Sequence, residues 1–265
     1  MVRIFQRRKR TKGIHPAHKL ILNFMTARVL GDSLFGCDKP ILLLKTAWGG
    51  RNLAVDFRPP SSGKGNYSGI KPIHYGWEYR QMITDILDTL NNFLPSIVPG
   101  YDDDVGYELA GFVWFQGWND MLEWDMVAEY EHNLANLIRD VREDLEAPDM
   151  PFIIGELGMH GIEPEGRGTD RVLAMRKAER GVTLQDEFRN STLFVPTAQY
   201  AVNNGTTYNG GYHYNGRADT YCHIGHAFGE AMMHLIGKKE EKEGELELEE
   251  VKFFQLRGGV LSSVA

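Results

Sequence analysis

Residues 110–120 read Ala-Gly-Phe-Val-Trp-Phe-Gln-Gly-Trp-Asn-Asp. The first six are short and continuously apolar, as a strand buried on both faces must be. The next five turn polar around a glycine, and an amphipathic pattern begins near Met121. Strand, loop and helix in that order make a β-α unit, and working outward the same grammar recurs. Pro40–Lys45, Pro151–Ile154 and Thr192–Val195 are further short apolar runs, each ending in a polar or glycine-rich loop. Helical spacing is predicted at about 77–94, 121–145 and 170–180, and again at about 217–236, where Tyr221, Ile224, Phe228, Met232 and Leu235 recur three or four apart. The expectation is a three-layer α/β/α sandwich around a parallel sheet.

In such sheets ligands bind outside the carboxyl ends of the strands, so the loops after the four runs are the ones to read. After the first comes Trp48-Gly49-Gly50-Arg51-Asn52, where two glycines allow a backbone N–H to approach a ligand unobstructed. An ordinary glycine turn would read the same way. After the second, Gln116-Gly117-Trp118-Asn119-Asp120 sets a neutral amide where it can stabilise a developing oxyanion, a donor typically worth about 2.7–4 kcal/mol of barrier. Asn119 or Asp120 can equally cap the following helix. After the third, Gly155-Glu156-Leu157-Gly158 brings one carboxylate to the same edge, able to orient a histidine or to sit in solvent. Past the fourth, Gly210-Gly211-Tyr212-His213-Tyr214 presents a histidine as a general base just before the last helix. His223, His226 and His234 fall within that helix and read as residues of its faces.

The chain has 265 residues, of which 42% are apolar and 25% charged, enough for one α/β domain with a sizeable core. We expect that domain over residues 1–237 and a Lys- and Glu-rich tail over 238–265. A net charge of -7 gives no attraction to nucleic acid or to an anionic membrane. The apolar runs fall short of the roughly 18 residues a spanning helix needs. Cys37 and Cys222 form neither a disulfide framework nor a zinc cluster, and no cofactor or metal is expected. The basic start is not followed by an apolar run of signal-peptide type. Compartment and oligomeric state stay open.

Taken in order, Trp48-Gly49-Gly50, Gln116-Gly117-Trp118-Asn119-Asp120 and the late His213 resemble successive blocks of the SGNH hydrolase superfamily. Lys45-Thr46-Ala47-Trp48-Gly49-Gly50 and the phrase ending in Asp120 are most similar to its sialate O-acetylesterase and related carbohydrate acetylesterase branch, whose usual second phrase is Gln-Gly-Glu-Ser-Asp. The likeness covers roughly residues 14–236. It implies a flavodoxin-like fold in which a serine attacks an acetyl ester on a sugar, the acetylated carbohydrate being the partner. Carried over, Gly49 or Gly50 and Asn119 become oxyanion donors, Gln116 assists, and His213 is the base. Gly210 stands where the superfamily has an aspartate, so Glu156 is expected to supply the missing carboxylate, with Asn209 a weaker neutral substitute.

Gly31-Asp32-Ser33-Leu34 spells the superfamily's serine motif, yet topology argues against Ser33. A parallel crossover needs about 10–12 residues, and only Leu34 to Lys39 separate Ser33 from the Pro40 run. Pro16–Leu30 carries helical spacing, which makes Gly31 the expected C-cap. The reading is therefore a sheet whose first strand and serine are missing. The tail around Val251–Leu256 is a candidate to fill that gap. The alternative function is a catalytically silent carbohydrate-binding protein.

Overall fold

The computed structural model describes residues 17–34, 40–202, 213–243, 254–257 and 260–263. Its centre is a parallel sheet of three strands in sequence order: β1 (Phe112–Trp114), β2 (Phe152–Gly155) and β3 (Thr192–Val195). Phe112 pairs with Phe152 and Phe152 with Thr192, so one register runs across all three strands. Each run predicted for these positions is a strand, because its β-branched and aromatic side chains fill both faces. Alternate residues divide between two cores. Phe112, Trp114, Phe152, Ile154 and Phe194 face one side, and Val113, Ile153, Leu193 and Val195 face the other.

The first side is covered by α2 (Trp77–Asn92), α5 (Trp124–Asp144) and α6 (Thr169–Thr183), through Tyr79, Met82, Tyr130, Leu134, Val172 and Met175. The second is covered by α1 (Ala17–Leu34) and α7 (Ala218–Glu243), through Leu22, Leu30, Ile224 and Phe228. This is the expected α/β/α sandwich. The helices α1 and α7 approach closely because α7 offers glycine where they touch: a β-carbon at Gly225 would stand 2.3 Å from Leu22 O, and one at Gly229 2.6 Å from Val29 Cβ. Two short helices, α3 (Leu94–Ile97) and α4 (Trp118–Met121), complete the frame.

Three expectations are corrected. Pro40–Lys45 is an extended segment with a single bridge residue, Leu44, in place of a strand. Its side chains still alternate, Leu42 and Leu44 toward the first core and Ile41 toward the second, but a ladder needs consecutive paired residues. Helix α1 does not stop at Gly31 and runs on through Ser33 to Leu34. At the far end, β4 (Phe254–Arg257) pairs antiparallel with β5 (Val260–Ser263) and joins no other strand among the described residues. Within the stretch read as a tail, α7 runs on to Glu243, and the described part of Val251–Leu256, the candidate for the gap in the sheet, pairs with β5 instead.

Candidate active site

A buried carboxylate ties together the loops that leave the Pro40 segment and β1. Asp120, at the first turn of α4, is fully buried. Its Oδ1 accepts from the amides of Leu53 and Ala54 at 2.9 Å each, and its Oδ2 from Leu53 N at 2.9 Å and Gln116 Nε2 at 2.7 Å. Gln116 Nε2 also donates to Arg51 O at 3.0 Å, and Tyr130 Oη donates to Gln116 O at 2.7 Å. The Gln116 amide is therefore engaged with the neighbouring loop. These bonds lay the strip 50–54 against 116–120, so that a β-carbon at Gly50 would stand only 3.9 Å from Asn119 Nδ2. Gly50 has φ +72°, a left-handed conformation that glycine adopts without steric cost. Burial pushes the Asp120 carboxyl up to about 6, against the pull of Gln116 and of the Leu53 and Ala54 amides.

Behind this loop lies a second buried acid. Glu179 of α6 is fully buried, with Oε2 accepting from Leu157 N at 2.9 Å and Oε1 having no hydrogen-bond partner among the described residues. A β-carbon at Gly117 would meet that Oε1 at 3.0 Å and Met175 Cε at 2.9 Å, so this glycine serves the close approach of α6. Burial, with the charges of Glu156 and Asp120 adding to it, raises the Glu179 carboxyl well above the usual range.

The histidine loop is braced by its neighbour. His213 is half-buried, and its carbonyl accepts from Gly216 N at 2.8 Å and from Tyr221 Oη at 3.3 Å. The next two residues are both left-handed, Tyr214 at φ 49° and Asn215 at φ 54°. For a bulky buried residue such a backbone costs on the order of 1–3 kcal/mol and persists only where surrounding contacts enforce it. Here the Tyr214 hydroxyl lies 2.6 Å from Thr197 Oγ1 and accepts from Gly158 N at 3.2 Å. Glu156 reaches the same point: its Oε2 accepts from the Thr197 and Ala198 amides at 2.7 and 2.8 Å, and its carbonyl accepts from Thr197 Oγ1 at 2.8 Å. Arg176 Nε lies 3.4 Å from Glu156 Oε1. Thus Glu156 is coupled to the histidine loop through Thr197 and Tyr214. Asn209 and Gly210 lie outside the described residues.

Of the aromatic residues near these loops, Trp114 is core, with its Nε1 donating to Tyr130 Oη at 3.1 Å. Trp48 packs on Phe57, ring centres 5.8 Å apart. Trp118 stacks on His160 from the loop after β2, at 5.5 Å and 12° between planes. Burial and then Arg176 lower the His160 pKa, favouring the neutral ring. His223, His226 and His234 are exposed on α7. No group of three or more metal-binding side chains occurs among the described residues. Sequence reasoning missed the role of Asp120 as a clamp, and Glu179, Thr197 and Tyr214 altogether. Glu179 had one visible signal, since it follows Val172 by seven and Met175 by four and so falls on the apolar stripe of α6.

Residues 23–234 match the family described as carbohydrate esterase, sialic acid-specific acetylesterase. The chain belongs to that family. Among solved structures it is similar to an X-ray structure of a protein from Arabidopsis thaliana, with a TM-score of 0.53 and 17% identity. That alignment covers 79% of this chain and 66% of the Arabidopsis chain, and at such identity it speaks for the fold alone. No curated protein sequence matches the chain.

Proposed function

We propose that the chain forms the ester-binding and proton-transfer parts of a carbohydrate O-acetylesterase site of SGNH type. Gly49, Gly50 and Asn119 are the oxyanion donors, Gln116 supports them, and His213 is the general base. Glu156 acts on the histidine through its loop. Addition of a hydroxyl to the acetyl carbonyl puts negative charge on the carbonyl oxygen, where preorganised N–H donors lower the barrier. The observation that carries the reading is the juxtaposition of Gly50 with Asn119, in a chain of the carbohydrate esterase family.

Ser33 is not assigned as nucleophile. It belongs to the last turn of α1, whereas an attacking serine of this kind stands on a strand-to-helix turn. Ser61 N bonds Asp140, Ser62 Oγ accepts from Asn136, Ser68 lies in a turn before α2, Ser96 lies in α3, Ser191 precedes β3, and Ser262 and Ser263 belong to β5 of the separate hairpin. None of these directly follows a strand of the sheet. That favours a second reading beside the first, a binder of acetylated carbohydrate with little turnover of its own. In an assay of p-nitrophenyl acetate hydrolysis, the purified chain and its Ser33→Ala variant should turn over equally, within twofold. An O-acetylated sugar should bind the chain, and Asn119→Ala should weaken that binding about tenfold. Activity abolished by Ser33→Ala overturns the exclusion of Ser33, and absence of both turnover and sugar binding overturns the carbohydrate reading.

A further inference from the structure

The strip bearing Gly49 and Gly50 belongs to no strand or helix, so something else must fix its distance from Asn119. We propose that Asp120 is a positioning residue whose ionised carboxylate holds this strip against the Asn119 loop, setting the donors above a threshold pH and releasing them below it. The proposal rests on the site reading given above.

The groups bonded to Asp120 are all donors: two backbone N–H groups on one loop and the Gln116 side-chain amide. An ionised carboxylate is an acceptor at every lone pair and satisfies them all. A protonated one carries an O–H, which would point a donor at a donor. The cage therefore requires the anion for its geometry. No cation is bonded to Asp120 among the described residues: Arg51 turns its guanidinium to Asp56 at 2.9 Å and Glu78 at 3.1 Å. The other ionisable groups bearing on it are the Glu179 acid of α6, Tyr130 of α5 and Tyr67 of the loop before α2. Their charged forms would all be negative. Amide dipoles thus hold a buried charge against desolvation, and the balance puts the carboxyl at about 6.

The test follows the amides themselves. In the uniformly 15N-labelled chain, the Leu53 and Ala54 amide protons should titrate together between pH 4.5 and 8, with a common midpoint near 6. Their hydrogen-exchange protection factors should rise at least tenfold from pH 5 to 7.5, while those of Ile153 and Ile154 in β2 stay constant. Asp120→Asn should abolish both changes. Leu53 and Ala54 shifts and protection that are flat across this range overturn the proposal. The wild-type titration decides the matter even if the variant does not fold. Addition of 6-O-acetylglucose should shift the Gly49 and Gly50 amides at pH 7.5 and not at pH 5. If the sugar ester leaves them unmoved at both, while Leu53 and Ala54 still titrate, the ester-binding reading falls and the clamp stands.

Discussion

Tyr214 shows how one side chain can brace a loop. It sits directly after His213, holds a left-handed backbone, and spends its hydroxyl on Thr197 and Gly158, which belong to the loops after β3 and β2. Burial raises its own pKa, chiefly by desolvation, so the phenol stays neutral and keeps its proton for the bond. Tyr214→Phe keeps the ring against Phe115, 6.3 Å away, and removes only the oxygen. The Gly158 N–H and the Thr197 hydroxyl then lose a buried partner, which costs about 1–3 kcal/mol. Urea unfolding should show that loss, and a stability within about 0.5 kcal/mol of wild type would show that the hydroxyl is idle. None of this was readable from the sequence, because the two loops that hold Tyr214 are brought to it only by folding.

At the level of elements, the contact of α1 with α7 depends on two missing methyl groups. Gly229→Leu would drive a side chain into Val29 and either part the helices or tilt them, and overpacking of this sort costs typically about 1–3 kcal/mol. The matched control is Gly237→Ala on the same helix, where nothing lies within 4 Å, and which should stabilise by up to about 1 kcal/mol. Thermal unfolding of the two variants should shift in opposite directions, and equal shifts would mean that helix propensity alone governs these positions. The sheet was legible because each of its three strands is a self-contained apolar run whose alternate residues feed two cores. Pro40–Lys45 looked equally good as a strand, but strand formation is a property of the partner as much as of the run. Helix α1 likewise outran its predicted end, since the Gly31 stop signal does not end it. In the candidate site, the order of glycine and amide positions could be read along the chain, while the burial of Asp120 and Glu179 among those loops could not, because it is a product of folding.

For the whole molecule, those acids make stability depend on pH in an uncommon sense. Both Asp120 and Glu179 have carboxyls raised in the folded state, so the native protein binds protons more tightly than the unfolded chain. Measured against the unfolded chain, where both carboxyls are solvated, their contribution is fully present below the ordinary carboxylate range and is lost as pH rises toward the folded values, for Asp120 between about 4 and about 6. Against a folded state whose strip is released while Asp120 stays buried without its amides, ionisation has the opposite effect and favours the clamp. Glu179→Gln removes one titration and preserves the shape. Between pH 5 and pH 7.5 its stability should gain on wild type by up to about 1.4 kcal/mol per pH unit, as read from paired urea melts. Parallel pH curves for the two proteins would contradict a raised Glu179. The pairing of α1 with α7 also has a consequence for synthesis. Roughly 180 residues separate the end of one helix from the start of the other, and at usual elongation rates a ribosome takes about 10 to 40 seconds to supply them. Throughout that interval the side of α1 that meets α7, at Leu22 and Val29, lacks its native partner and is open to non-native contacts.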